Sequence, residues 1–325
     1  MLTSRVRRSV LFTVAILFAV GLAASLLGRD AGGGIAFVDF ADGSTATVGF
    51  AGRFPPVGTP PLNRPLGMTG DGERLYVALA DAGAVGVFGY DGSFIETLAV
   101  PPAAGAPVAY PVDVALLADG RLAVVDTSGT RVVAIRITDP EADFEPFAIS
   151  PAVGQPTAVA AFDGVVYVYD ASVGVVRTYA EDGRHLGDLG TELRPSIGFA
   201  GGIEVTDDTV WISDSNAARV VGLDRADGTL RSMIQHRFDL PRGLTVAPDG
   251  RIFVAEAFGQ TIGVFDAAGS LRVDAVEEDS LEDLIGGGVA LSPEDVVWCP
   301  LTSRLYVTDS AAGLIKVYNI REEAP

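Results

Sequence analysis

Asp113 and Glu204 are the residues of this sequence best placed to do chemistry. Each interrupts a column of small side chains. Six recurring segments put Gly67, Asp113, Ala158, Gly202, Gly243 and Gly288 at one position, and Thr69, Ala115, Ala160, Glu204, Thr245 and Ala290 two residues further on. Positions two apart on a strand face the same way, so both carboxylates project from one face. Carboxylate and backbone oxygens there suit a Ca²⁺ ion, with Asp113 and Glu204 as metal ligands. A single carboxylate in such a place suits general-base work. Thr69, Thr245 and Arg242 complete this candidate site. The alternative is structural, with carboxylates bonded to water or to Arg64 and Arg242 and no reaction at all. Both readings stand at this level.

A second acidic set recurs at Asp126, Asp170, Asp214, Glu256 and Asp309. Repetition in most copies marks a role common to the repeats: accepting N–H bonds from turns, or pairing with Arg131 and Arg219. His185 and His236 fall in turns or connections, and two histidines cannot make a three-His zinc site. Cys299 is the only cysteine. It excludes an internal disulfide or a multi-cysteine metal site and reads as a buried or interfacial thiol. The sequence contains no P-loop, no dinucleotide-binding glycine motif and no nucleophile elbow. Gly286-Gly287-Gly288 reads as the start of a strand.

The elements that position these residues are repeats. A short apolar block begins at Leu75, Leu122, Val166, Val210, Ile252 and Leu305, at spacings of 47, 44, 44, 42 and 53 residues. A second apolar position follows in each copy: Phe88, Ile135, Tyr179, Leu223, Phe265 and Tyr318. Pro-x-small-apolar precedes most copies, as in Pro111-Val112-Asp113-Val114. Asp-Gly or Ala-Gly turns follow, at Asp91-Gly92, Asp182-Gly183, Asp227-Gly228 and Ala268-Gly269. Apolar alternation with period two, rather than 3.6, excludes a helical solenoid. A unit of roughly 40–50 residues holding four strands is the period of a propeller blade. The expected fold is all-β, a six-bladed β-propeller.

The expected blades lie near 64–100, 110–150, 155–190, 197–233, 240–275 and 287–320. The last unit ends too early for its own fourth strand. Ile35 to Phe40, then Asp42-Gly43, then Ser44 to Phe50 reads as a hairpin with no blade before it. Residues 35–50 are therefore expected to complete the sixth blade and leave no open seam. Arg53 to Pro65 becomes the crossover, and the long final spacing an insertion around Ser292 to Thr302.

Residues 1–30 read as a targeting segment, and 31–325 as the propeller. Arg5, Arg7 and Arg8 precede an uncharged run from Ser9 to Gly28. At 1.5 Å per residue that run spans roughly 30 Å, the thickness of a bilayer's hydrocarbon core. It is either a transmembrane signal anchor or a cleaved signal peptide, with small residues at Ala19, Gly21, Ala23 and Ala24 for cleavage. The arginines keep the N-terminus in the cytoplasm and place the propeller outside it. The expected location is the cell membrane, single-pass, or the exterior if the signal is cleaved. With 23 basic against 42 acidic residues, the chain carries −19. Beyond residue 30 the balance is 19 against 41, or −22. Such a field opposes nucleic-acid binding, which needs clustered Lys and Arg.

The repeats resemble the NHL-repeat propellers and the wider gluconolactonase-like group. The resemblance rests on Leu240-Pro241-Arg242-Gly243-Leu244-Thr245-Val246, then Asp249-Gly250-Arg251-Ile252-Phe253-Val254-Ala255-Glu256, then Phe265. It also rests on Asp214, Asn216 and Arg219, and on Asp126 and Arg131. It covers about residues 35–320, although Leu79 stands where Asp is usual and the sixth unit lacks the Arg. The resemblance implies a propeller that serves as binding scaffold, lyase or hydrolase. Lyases of this kind use several histidines. Lactonases of this kind draw several Asn, Asp and Glu ligands to a calcium ion, where this chain offers Asp113 and Glu204. Two functions follow from the sequence. One is a membrane-tethered scaffold recognising a protein, peptide or glycan on a propeller face. The other is a divalent-metal-dependent lactonase-like hydrolase or lyase with its site in the central channel.

Overall fold

The computed structural model describes residues 36–39, 45–55, 61–137, 149, 152–266, 271–275 and 292–323. The chain divides into two units, 1–34 and 35–325. The expected targeting segment, the Asp42-Gly43 turn and Gly286 to Ala290 lie outside the described residues. Among the described residues, no helix is long and apolar enough to cross a membrane.

Six antiparallel sheets form the second unit. The first holds Pro65–Gly70, Arg74–Leu79, Ala84–Gly89 and Phe94–Ala99. In the second, Pro111–Leu116, Arg121–Asp126 and Arg131–Arg136 are described. The third holds Pro156–Phe162, Val165–Asp170, Val175–Ala180 and His185–Leu189. The fourth holds Ala200–Val205, Thr209–Asp214, Arg219–Asp224 and Leu230–Ile234. The fifth holds Pro241–Val246, Ile252–Glu256, Thr261–Phe265 and Leu271–Ala275. Within each of these sheets strands neighbour in chain order, so each is a meander: a propeller blade.

The sixth sheet joins the two ends of the chain. Its order runs Pro293–Cys299, Arg304–Asp309, Leu314–Glu323, then Thr45–Phe54 and Ala36–Asp39. Thr45–Phe54 pairs along Leu314–Glu323 from Thr45 opposite Glu323 to Phe54 opposite Ile315. Ladder hydrogen bonds thus close the ring and occupy an edge that would otherwise invite aggregation.

The second strand of every blade is buried on both faces. Leu75, Tyr76, Val77 and Ala78 are all 1% exposed or less. The period-two pattern therefore gives way to a continuous apolar run, because neighbouring blades cover both sides. Val85 and Leu98 of the first blade pack against Val114, Leu122 and Ile135 of the second. Phe54, Tyr306 and Ile315 of the sixth pack against Met68, Leu75 and Phe88 of the first. Full burial of such side chains stabilises by about 1.5–3 kcal/mol each. The Asp-Gly turns work as their residue types require: Gly92 and Gly183 sit at φ 84° and 88°, where a side chain would be strained.

One sequence expectation is corrected. The segment from Ser292 to Thr302 is not an insertion but carries the inner strand of the sixth blade, Pro293–Cys299. That strand pairs in register with Arg304–Asp309, Val296 opposite Val307 and Trp298 opposite Leu305. The sixth blade's residue in the column with Asp113 is therefore Asp295, in Pro293-Glu294-Asp295-Val296, a repeat of Pro111-Val112-Asp113-Val114. The adjoining Cys299 is fully buried in the core between the sixth and first blades.

Candidate functional site

The six inner strands surround a channel of about 340 Å³. All of them begin with a slip in register against the second strand, between Pro111 and Asp113 in the second blade and between Pro293 and Asp295 in the sixth. A bulge of this kind re-aims the side chain that follows it. Here it turns Asp113 and Asp295 towards the adjoining blades.

Four carboxylates line the channel: Glu294, and three from alternate blades, Asp113 from the second, Glu204 from the fourth and Asp295 from the sixth. Asp113 accepts the Val114 N–H at 2.9 Å on Oδ1 and the Val159 N–H of the third blade at 2.8 Å on Oδ2. Asp295 repeats the arrangement. Its Oδ1 takes the Val296 N–H at 2.8 Å and its Oδ2 takes the Met68 N–H of the first blade at 2.7 Å. Glu204 accepts from the Val246 N–H of the fifth blade. Each of these three carboxylates thus holds the backbone of the next blade in the ring.

The electrostatics follow from that depth. Burial pushes the Asp113 carboxyl up to about 7, against the two amide bonds and the positive charge of Arg242. Burial pushes Glu204 up to about 8, helped by repulsion from Asp113. Asp295 is raised well above the usual carboxylate range by burial and by repulsion from Asp113 and Glu204. These side chains are partly accessible to water inside the channel, yet they lie far from bulk solvent, and depth dominates.

Of the other candidates from sequence, Thr69, Thr245 and Arg242 all line the channel. Thr245 is buried, and its Oγ1 lies 3.5 Å from the Trp298 amide that donates to it. Arg242 Nε donates to Glu294 Oε2 at 2.8 Å, and its guanidinium lies 5.8 Å from the Phe199 ring centre. Arg64 is placed elsewhere, over Tyr110. Asp295 and Glu294 went unread in the sequence, although the Pro-x-Asp-Val motif was there to find them. Carboxylate oxygens turned sideways to backbone N–H groups do not converge on a cation. Among the described residues, no group of three or more His, Cys, Asp or Glu side chains is arranged to hold a metal ion. The described donors do not fit Ca²⁺.

The repeated acidic residues close the second strands, opposite the first residues of the inner strands (Asp126 opposite Pro111, Asp309 opposite Pro293), and are fully or almost fully buried. Asp126 accepts from the Tyr110 and Ser128 amides and pairs with Arg131 at 2.9 Å. Asp214 accepts from the Gly198 amide and pairs with Arg219 at 2.9 Å. Asp170 gathers the amides of Gly154, Gln155 and Ser172, and these bonds with Arg177 hold its carboxyl down at about 2 despite burial. Glu256 accepts from the Asp239 amide, and Asp309 from those of Ser292 and Ala312. Two cations were not read from sequence. Arg177 reaches Asp170 from two residues beyond the usual position, and Lys316 reaches Asp309 at 3.3 Å. A residue two places on faces the same side of a strand, which is the signal that marks Arg177.

His185 opens the outer strand of the third blade and meets Asp188 at 2.7 Å. His236 lies between blades, against Phe238 and Phe265. Neither lines the channel.

The comparisons with solved structures agree with this architecture. A gluconolactonase from Xanthomonas campestris is 14% identical, with a TM-score of 0.59 over 90% of this chain and 99% of that one. A streptogramin B lyase is 14% identical, with a TM-score of 0.58 over 86% and 87%. Virginiamycin B lyase from Staphylococcus aureus is 13% identical, with a TM-score of 0.57 over 86% and 89%. The chain is a six-bladed β-propeller. At these identities the likeness shows the fold alone, and a propeller from a nidogen/laminin complex matches as well, at 14% identity and a TM-score of 0.55 over 74% and 92%. No family model and no curated protein matches the sequence, so the NHL resemblance rests on its quoted residues.

Proposed function

We propose that this propeller is a binding scaffold, held outside the cytoplasm by its N-terminal segment and presenting one face to a protein, peptide or glycan. One observation carries the reading. Asp113, Glu204 and Asp295 are each bonded to the backbone of the next blade, and Glu294, the fourth channel carboxylate, is held on Arg242. The polar centre of the ring therefore serves as a joint between blades, and its acids are committed before any substrate arrives. The tether rests on the run from Ser9 to Gly28 behind three arginines. Crosslinking in intact membranes followed by pull-down is the test. A partner recovered above control supports the scaffold, and failure to recover one counts against it.

A hydrolase or lyase with its site in the channel is the second reading. Its support is the pair of acids near 7 and 8, a range suited to proton transfer at neutral pH. In that case Asp113 or Glu204 takes or gives the proton, with Arg242 beside Asp113 to hold an anionic group. The described donors give this reading no metal. Elemental analysis of the purified protein and calcium titration of its melting temperature test only a metal-dependent form of this reading, whereas loss of a measured turnover in Asp113→Asn or Glu204→Gln tests the metal-free form. A bound metal or a thermal shift favours a metal-dependent enzyme.

A further inference from the structure

A groove of about 470 Å³ opens on the face where the inner strands begin. Its inner end is formed by Arg242 and Gly201, which also line the channel. From there it runs outward over the third blade, past Phe199 and Gln155, to Thr127, Thr130 and Ser172. The volume lies in the range of small-ligand pockets.

Among the described residues that line it, Arg242 is the only cation, and it is already oriented. Nε is fixed on Glu294 Oε2, and Glu294 is held in turn through Oε1 by the hydroxyls of Ser292 at 3.2 Å and Ser310 at 2.8 Å. The Arg242 side chain remains 24% exposed, and among the described residues its two Nη groups have no hydrogen-bond partner. A guanidinium pinned at Nε with both Nη groups open is a fork for two parallel oxygens, the geometry of a carboxylate. The walls add neutral groups. Thr127 Oγ1 donates to the Tyr110 carbonyl at 3.3 Å and Ser172 Oγ to Asp170 at 2.6 Å, so both oxygens remain acceptors. The side chains of Thr130 and Gln155 have no partner among the described residues.

We propose that this groove binds a ligand with a terminal carboxylate on a polar, hydrogen-bonding body, the carboxylate taken by Arg242 and the body lying along Phe199, Gln155, Thr127 and Thr130. The proposal rests on the scaffold reading and gives the chemistry of what that face recognises. A peptide chain end and a free hydroxy acid share this chemistry. The position of Arg242 at the inner end sets the orientation: carboxylate towards the axis, body outward.

The test titrates the full-length protein by calorimetry with three probes: the peptide N-acetyl-Gly-Ser-Thr-Ala as free acid, the same peptide as C-terminal amide, and quinate. Saturable binding of either acid, with the amide at least tenfold weaker, supports the proposal, and which acid binds identifies the source. Arg242→Gln is expected to weaken the acid at least tenfold, and Arg242→Lys to restore part of it. Melting curves verify that both variants fold. If they do not, the exposed pair Thr130→Val with Gln155→Ala is expected to weaken the acid several-fold. Binding of neither acid in the millimolar range overturns the proposal, as does an amide that binds equally. If the acids fail while membrane crosslinking still yields a partner, the carboxylate proposal falls and the scaffold stands.

Discussion

Asp295 accepts the Met68 amide at 2.7 Å although the two residues stand 227 positions apart in the chain. This bond ties the inner strand of the last blade to that of the first. Truncating the side chain strands the Met68 and Val296 amides in a buried place, at about 1–3 kcal/mol each. Asp295→Ala is therefore expected to lower unfolding free energy well beyond the loss from truncating an exposed aspartate such as Asp119. Urea denaturation of the two variants reads this directly, and equal midpoints would sink the idea.

Gly67 and Gly243 owe their place to the carboxylates that follow them round the ring. A Cβ on Gly67 would clash with Asp113 Oδ1 and meet Asp113 Cα at 2.7 Å. A Cβ on Gly243 would lie 2.6 Å from Asp295 Cα. Because backbone atoms form part of each clash, removing the carboxylate does not make room. Gly243→Ala is expected to cost about 1–3 kcal/mol, the range for overpacking. The double variant with Asp295→Ala is expected to be less stable than either single one. Recovery of stability in the double variant would show that the side chain alone sets the limit.

The pH profile is expected to run against the common pattern. Asp113, pushed up to about 7, and Glu204, pushed up to about 8, keep protons in the folded chain that the unfolded chain has released. Asp295 shifts the same way. The folded state then binds more protons than the unfolded one from about pH 4 upward, so stability falls as pH rises through 7 and 8. Asp170 and Asp126, both lowered, act in the opposite sense, and their contribution is lost as pH falls below about 4. Melting temperature is expected to peak in mildly acidic buffer. Combining Asp113→Asn, Glu204→Gln and Asp295→Asn should flatten the alkaline limb, and an unchanged slope in that variant rules the channel acids out as its cause.

Arg219 and Arg231 both form ion pairs, but only one pair is buried. Arg219 and Asp214 have side chains 6% and 0% exposed, against 40% and 64% for Arg231 and Asp208. Removing Arg219 leaves a buried charge unpaired, and also frees the Pro195 carbonyl that its Nη2 holds at 2.8 Å. Arg219→Ala is expected to cost about 3–5 kcal/mol, whereas Arg231→Ala should cost about 1 kcal/mol or less. Denaturant midpoints distinguish the two. Similar losses would contradict the burial argument.

The blade count and the closing hairpin were legible because turns and apolar blocks are local features that recur. Asp113 and Glu204 could be read because each departs from a column of small residues. Asp295 escaped because the sixth unit has a longer lead-in, and alignment on glycine favoured Gly288 over the Pro-x-Asp-Val beginning at Pro293. The roles of the carboxylates were not legible at all. Whether an acid faces a ligand or the amide of a neighbouring strand depends on a bulge and on the approach of two blades, and no local pattern encodes either. Arg177 and Lys316 show the same limit, since each meets its carboxylate by register rather than by motif.

Residues 45–54 are the part of the chain on which ring closure depends. Thr45–Phe54 supplies the fourth strand of the sixth blade, and Phe54, 3% exposed, enters the core shared with the first blade beside Phe88 and Tyr306. A chain beginning at residue 55 loses that strand and that side chain together. It leaves Leu314–Glu323 as an unpaired edge and opens the joint that Asp295 and Met68 hold from inside. Starting the chain at residue 35 keeps the whole second unit. The shorter deletion is therefore expected to melt cooperatively near the full-length temperature, and the longer one to aggregate or lose its transition. Adding back a peptide of residues 35–54 should restore the transition in proportion to its concentration, as expected for a ligand that binds the folded state. A residue 55–325 chain that melts like the full-length protein would show instead that the first five blades and the three remaining strands of the sixth already suffice.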